Sequence, residues 1–293
     1  MAGGDRRRPF AFGTDLWDPS HRFETSWLLS PWALFFCRAL FSLYIFTTII
    51  FVLAWQCANA PTHCAASQNS FSFFTSLTYW GLGFYFLASA VHTFTYARNS
   101  SSSSSSTGHH VALLDRLPRP LQALHSAYYT TIVVYPFVVT IVFWGRLYSG
   151  HWFAASFDGW SNISQHAMNS AFALFEIVVP RTDPPPPLHM LWLLVVLALY
   201  LALAYVTEAT KGFYPYDFLD PSKQHGLVAA YVFGIAVGAL ILFAVAWGLI
   251  WLRRYITETR LGMHGKFAGA SEITARPVAE EDVEMSGVRE SLK

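Results

Sequence analysis

Charge is what this chain most lacks. Asp, Glu, Lys and Arg make up 13% of its 293 residues, while 54% are hydrophobic and the mean hydropathy is +0.35. A soluble domain carries about 25% charged residues, so the deficit points to a membrane protein. The net charge is +1, which provides no basic field for nucleic acid. Cysteine is limited to three, with no paired CxxC. Glycine-rich nucleotide loops, G-x-S-x-G and H-x-x-x-H spacing are also missing, so neither a cofactor nor a metal site is expected. The first thirty residues hold no apolar core of a signal peptide. The first hydrophobic helix then serves as the insertion signal.

Long uncharged runs are plentiful. A helix of about 20 apolar residues spans a bilayer core. Runs of that kind occupy 32–55 (broken only by Arg38), 71–97, 123–144, 160–179 (broken only by Glu176), 188–207 and 226–252. The expected fold is therefore all-α, an integral membrane bundle of six transmembrane helices. Six crossings place both termini on one side. Arg6, Arg7, Arg8, Arg22, Arg98, Arg116, Arg119, Arg181, Arg253 and Arg254 would share that side, against Arg146, Lys211 and Lys223 on the other. Basic loops stay cytosolic, giving an N-in/C-in topology with both termini cytosolic, in the endomembrane system or the plasma membrane.

Three regions follow. Residues 1–30 read as an irregular cytosolic arm, with Trp17, Phe23 and Trp27 at the membrane interface. Residues 31–255 form the transmembrane domain, with a flexible Ser-rich cytosolic linker at 98–118. Residues 256–293 read as a disordered tail. Cys57 and Cys64 flank a short loop that this topology puts outside, where a disulfide is chemically permitted; proximity in sequence does not fix its geometry.

Polar groups inside the runs carry the remaining information. On a regular helix Asn162, His166, Asn169, Ala173 and Glu176 fall within an arc of roughly 120°. Such a face must turn inward in a membrane. Arg38 and Glu176 lie at similar depths near the cytosolic side, and each is costly alone in hydrocarbon. They are expected to form a structural ion pair. Thr75 and His166 lie near the opposite edge. A threonine hydroxyl becomes a nucleophile when a base accepts its proton, and the depth of the two residues permits that pairing. Both types also serve simply as interhelical hydrogen-bonding groups.

The order of several short motifs then matters. Phe74-Thr75-Ser76-Leu77-Thr78-Tyr79-Trp80, Phe143-Trp144-Gly145-Arg146-Leu147-Tyr148 and Gln165-His166-Ala167-Met168-Asn169 resemble, in sequence and spacing, the androgen-induced/FAR-17a-like family. Tyr216-Asp217-Phe218-Leu219-Asp220 is closer to the related turn of the rolling stone-like family. The first family contains threonine hydrolases that cleave fatty acid esters of hydroxy fatty acids. That resemblance implies Thr75 as nucleophile and His166 as base, with Thr78 as the alternative register for the threonine. Asn169 stands where the family motif has a second histidine; it would orient His166 or stabilise an oxyanion. The expected partners are membrane lipids and a lipid ester substrate. The rolling stone-like resemblance implies instead a non-enzymatic membrane scaffold or fusion-type interaction protein.

Overall fold

The structure is a computed structural model that describes residues 18, 20–59, 64–102 and 112–263. No strand occurs among them; an isolated bridge joins Ser26 to Pro180. The long helical stretches are α1 (Pro31–Asn59), α2 (Phe74–Ser102), α3 (Arg119–Leu147), α4 (156–178), α5 (His189–Lys211) and α6 (Leu227–Arg260). Four of these, α1, α3, α5 and α6, are long and apolar enough to cross a membrane. The architecture is that of an all-helical multi-pass membrane protein.

The remaining two, α2 and α4, have comparable length but are diluted by Ser, Thr, Asn, Gln and His. Their position accounts for the difference. Tyr79, Leu82, Tyr85 and Phe86 of α2, with Phe172, Ala173, Glu176 and Ile177 of α4, are buried in the bundle. By contrast, Phe233, Val237, Ile241 and Val245 of α6 repeat every fourth residue on an exposed apolar face. Polar side chains are tolerated where other helices shield them from hydrocarbon.

Local chemistry fixes how the helices meet. Gly83 lets α1 approach α2 closely: a Cβ there would come within 3.0 Å of an Ile45 methyl. Ser42 Oγ uses that approach to donate to the Gly83 carbonyl at 3.1 Å. α3 breaks at Val133 and Val134, just before Pro136. Proline has no N–H to give the preceding turn and its ring clashes with it, which bends the helix. A disulfide joins Cys57, in the last turn of α1, to Cys64 in the connection between α1 and α2.

The terminal segments depart from the sequence expectation. The described part of the arm is docked, not loose. Ser26 Oγ donates to the Val179 carbonyl and Trp27 Nε1 to the Val178 carbonyl, each at 2.7 Å, while Arg181 N donates to the Thr25 carbonyl at 2.9 Å. The first two satisfy carbonyls that the end of α4 leaves open. Phe23 packs edge-on against His125 and Tyr129 inside the bundle instead of facing the membrane interface. α2 continues to Ser102 and a short helix, Leu113–Arg116, follows, so helix intrudes on both sides of the expected linker. α6 likewise continues through Arg260. Residues 1–17, 103–111 and 264–293 lie outside the described residues. The end of the bundle that holds residues 20–30 is called the arm end below, and the opposite end the cleft end.

Candidate functional site

Two polar centres lie at opposite ends of the bundle. At the arm end the structure brings Arg38 and Glu176 together. Arg38 Nε and Nη2 each donate to a Glu176 oxygen at 2.8 Å, and Nη1 donates to the Phe23 carbonyl and to Thr93 Oγ1 at 2.7 Å. Tyr85 OH donates to the same carboxylate at 3.3 Å. Arg38 is 1% exposed and Glu176 0%. The fork geometry, with further bonds on the remaining donors, is what a buried pair needs to offset desolvation. These bonds join α1, α2, α4 and the arm.

The cleft end is built differently. α4 is α-helical to Ile163, passes through a π-helical turn at Ser164–Met168, and resumes at Asn169. α3 ends in a second π turn, Phe143–Leu147. The two turns face each other: the Phe143 and His166 rings stack at 3.6 Å with 11° between planes. In a regular helix Ser170 N–H would reach the His166 carbonyl. Here it donates to Asn169 Oδ1 at 2.8 Å, and the His166 carbonyl accepts from Trp144 Nε1 at 2.9 Å. Tyr44 of α1 holds the same turn through Ser164 Oγ at 2.6 Å. Single π turns inside α-helices are frequent at functional sites.

His166 is 9% exposed, and its Nδ1 lies 3.0 Å from the Asn162 carbonyl. A carbonyl only accepts, so Nδ1 carries the proton and Nε2 keeps its lone pair. The ring lines an outer cleft of about 520 Å³, together with Thr75, Ser76, Arg146, Gln165 and Tyr216. Thr75 stands in the first turn of α2, where backbone amides have no intrahelical acceptor. Its N–H donates to Tyr216 OH at 3.3 Å, and its Oγ1 lies 3.5 Å from the same hydroxyl. Thr75 and His166 therefore share one cleft without a direct hydrogen bond.

Beneath the cleft is a second space of about 210 Å³, walled by aliphatic residues of α3, α5 and α6 such as Val139, Leu197 and Val232. Thr75, Phe143, Leu147, Tyr216 and Phe218 line both spaces. Thr75 thus stands between a polar cleft and an apolar chamber.

Two residues depart from their expected roles. Asn169 Nδ2 donates to the Pro136 carbonyl at 3.2 Å, and its Oδ1 accepts from Thr140 Oγ1 at 3.1 Å. It is buried between α3 and α4 and is not among the residues lining the cleft. Thr78 Oγ1 donates to the Phe74 carbonyl at 2.9 Å and the Thr75 carbonyl at 3.0 Å, the local bonding expected of a helical threonine. It lines a lateral groove on the α5 side instead of the cleft. The residue that sequence reasoning passed over is Tyr216. The Tyr-Asp-Phe-Leu-Asp turn contained it, but only the fold shows the turn folding back onto Thr75.

No protein-family model, curated protein or solved structure matches the chain.

Proposed function

We propose that the chain crosses the membrane six times, N-in/C-in, and hydrolyses lipid esters at the cleft end, with Thr75 as nucleophile and His166 as general base. One observation carries this reading: Thr75 lies on the wall shared by an apolar chamber and a polar cleft that also holds His166. The resemblance to the androgen-induced/FAR-17a-like family adds to it. An acyl chain in the chamber would bring its ester carbonyl to Thr75. The threonine turns from Tyr216 toward His166; Nε2 takes the hydroxyl proton as Oγ1 attacks the carbonyl carbon. The tetrahedral intermediate expels the alcohol, which receives that proton from His166. Water, deprotonated by the same nitrogen, attacks the acyl carbon; the C–Oγ1 bond breaks, the fatty acid leaves and Thr75 Oγ1 takes the proton back from His166. The Tyr216 hydroxyl, and the Thr75 N–H once it is released from that hydroxyl, are the oxyanion donors nearest the attacking oxygen. Hydrolysis of a long-chain ester by purified wild type, and its loss in Thr75→Ala and His166→Ala with unchanged unfolding temperatures, is the expected result. Equal turnover by wild type and Thr75→Ala would remove the reading.

A second reading is favoured by a different observation. Thr75 Oγ1 lies beside Tyr216 and His166 Nδ1 beside Asn162, with no bond between Thr75 and His166. In that reading the protein is a membrane scaffold or fusion-type interaction protein, and these residues only tie helices together. Labelling by a lipophilic fluorophosphonate separates the two: the hydrolase is modified, the scaffold is not.

A further inference from the structure

Arg146 at the end of α3 plays no part in the chemistry above. It is exposed, and its Nε donates to Tyr231 OH at 3.2 Å while its guanidinium carbon sits 5.5 Å from the centre of that ring. These contacts fix its direction but leave its charge unbalanced: among the described residues no carboxylate pairs with it. The other formal charge on the cleft wall, Asp217, is already bonded to Lys223 at 2.6 Å. His166 uses Nδ1 on a backbone carbonyl. The cleft therefore presents one oriented cation with two unused nitrogens.

The chamber below has the opposite character. Apart from Thr75, Tyr200 and Tyr216, its walls are apolar. Ala198 of α5 and Phe233 of α6 line it and are also exposed on the outside of the bundle. It therefore opens sideways between α5 and α6, toward the hydrocarbon of a surrounding bilayer. An apolar space reached from the membrane, joined to a cleft with a single unbalanced cation, matches one kind of molecule.

We propose that the cleft and chamber together bind a single-chain anionic amphiphile, with its acyl chain between α3, α5 and α6 and its carboxylate or phosphate on Arg146. The chain enters laterally between Ala198 and Phe233, and the charged head remains in the cleft. Burial of methylenes supplies most of the affinity, whereas the exposed ion pair selects the head group and is screened by salt. This site overlaps the proposed hydrolase but needs no bond to break, so its failure and the failure of hydrolysis are separate results.

The test uses the full chain in nanodiscs of zwitterionic phosphatidylcholine and palmitate carrying a diazirine near the chain end. Crosslinks are expected on the chamber segments of α5 and α6. Palmitate or hexadecyl phosphate should compete about fivefold better than methyl palmitate, the scale of an exposed ion pair. Stronger competition by palmitate assigns a carboxylate head, and stronger competition by the phosphate assigns a phosphate. Arg146→Gln should abolish the advantage of the charged competitors while leaving methyl palmitate unchanged. Ala198→Trp, which fills the chamber mouth, should lower crosslinking by all of them. Equal competition by the methyl ester in wild type, or crosslinks confined to the outer lipid face of the bundle, would overturn the proposal.

Discussion

The two ends of the bundle use similar polar residues in opposite ways. At the arm end, Arg38, Glu176, Tyr85 and Thr93 are buried and bond to one another and to the Phe23 carbonyl. Arg22 extends the same pattern, donating to both oxygens of Glu258 at 3.1 and 2.6 Å and so tying the arm to the end of α6. At the cleft end, His166 keeps one nitrogen without a partner among the described residues, and Thr75 borders two cavities. Burial with complete pairing holds helices together. Burial with an unused valence beside a cavity leaves a group able to act on something else.

The comparison is broken most severely at Arg38. Arg38→Ala leaves a buried carboxylate without its cation and is expected to cost about 3–5 kcal/mol. Thermal unfolding in mild detergent should show it, and Arg38→Ala/Glu176→Ala should cost less than the sum of the single changes. Additive effects would mean that the pair does not hold the arm end.

A smaller effect is expected at Glu24, one of the arm-end residues that departs from this pairing. It is 0% exposed, and neither carboxylate oxygen has a hydrogen-bond partner among the described residues. Burial, then the charges of Asp18 and Asp115, push its pKa well above the ordinary 4.5, with Arg38 pulling the other way. A carboxyl raised in this way keeps its proton to higher pH in the folded protein than in the unfolded chain. Its contribution to stability is complete below the ordinary value and is lost as pH rises through the raised one. Stability should therefore decline as pH increases from about 4.5, and Glu24→Gln should flatten that decline. Asp18, whose pKa is also raised by burial, keeps part of the slope in the variant. An unchanged pH profile in Glu24→Gln would place the carboxyl in water.

The smallest expected change in stability sharpens the other end. Asn169→Ala removes bonds between α3 and α4 at a cost of about 1 kcal/mol. It should also reduce ester turnover, because the His166 turn loses the acceptor for Ser170 N–H. Full turnover at reduced stability would separate the π turn from the chemistry.

The sequence made some of this legible. Long apolar runs marked the helices, because a bilayer sets their length whatever the fold. The matched depths of Arg38 and Glu176 located their meeting, because a lone charge in hydrocarbon is so costly. The arc through Asn162, His166 and Asn169 was less informative, since it assumed an even step of 100°. The π turn at Ser164–Met168 interrupts that step, and Asn169 turns to Pro136. The docking of residues 20–30 was hidden for another reason: an irregular segment has no period, and its bonds run to carbonyls 150 or so residues away. Tyr216 was hidden because a turn residue gains its neighbours only when α5 and α6 close over α2.

The central claim, that the open end carries chemistry while the closed end carries stability, is tested most directly by mapping a covalent adduct. Purified protein would be treated with a lipophilic fluorophosphonate and the modified peptide sequenced by tandem mass spectrometry. The expected result is an adduct on Thr75, absent in Thr75→Ala and slowed about 10²–10⁴-fold in His166→Ala. An adduct on any other residue, or none in folded wild type, would contradict it.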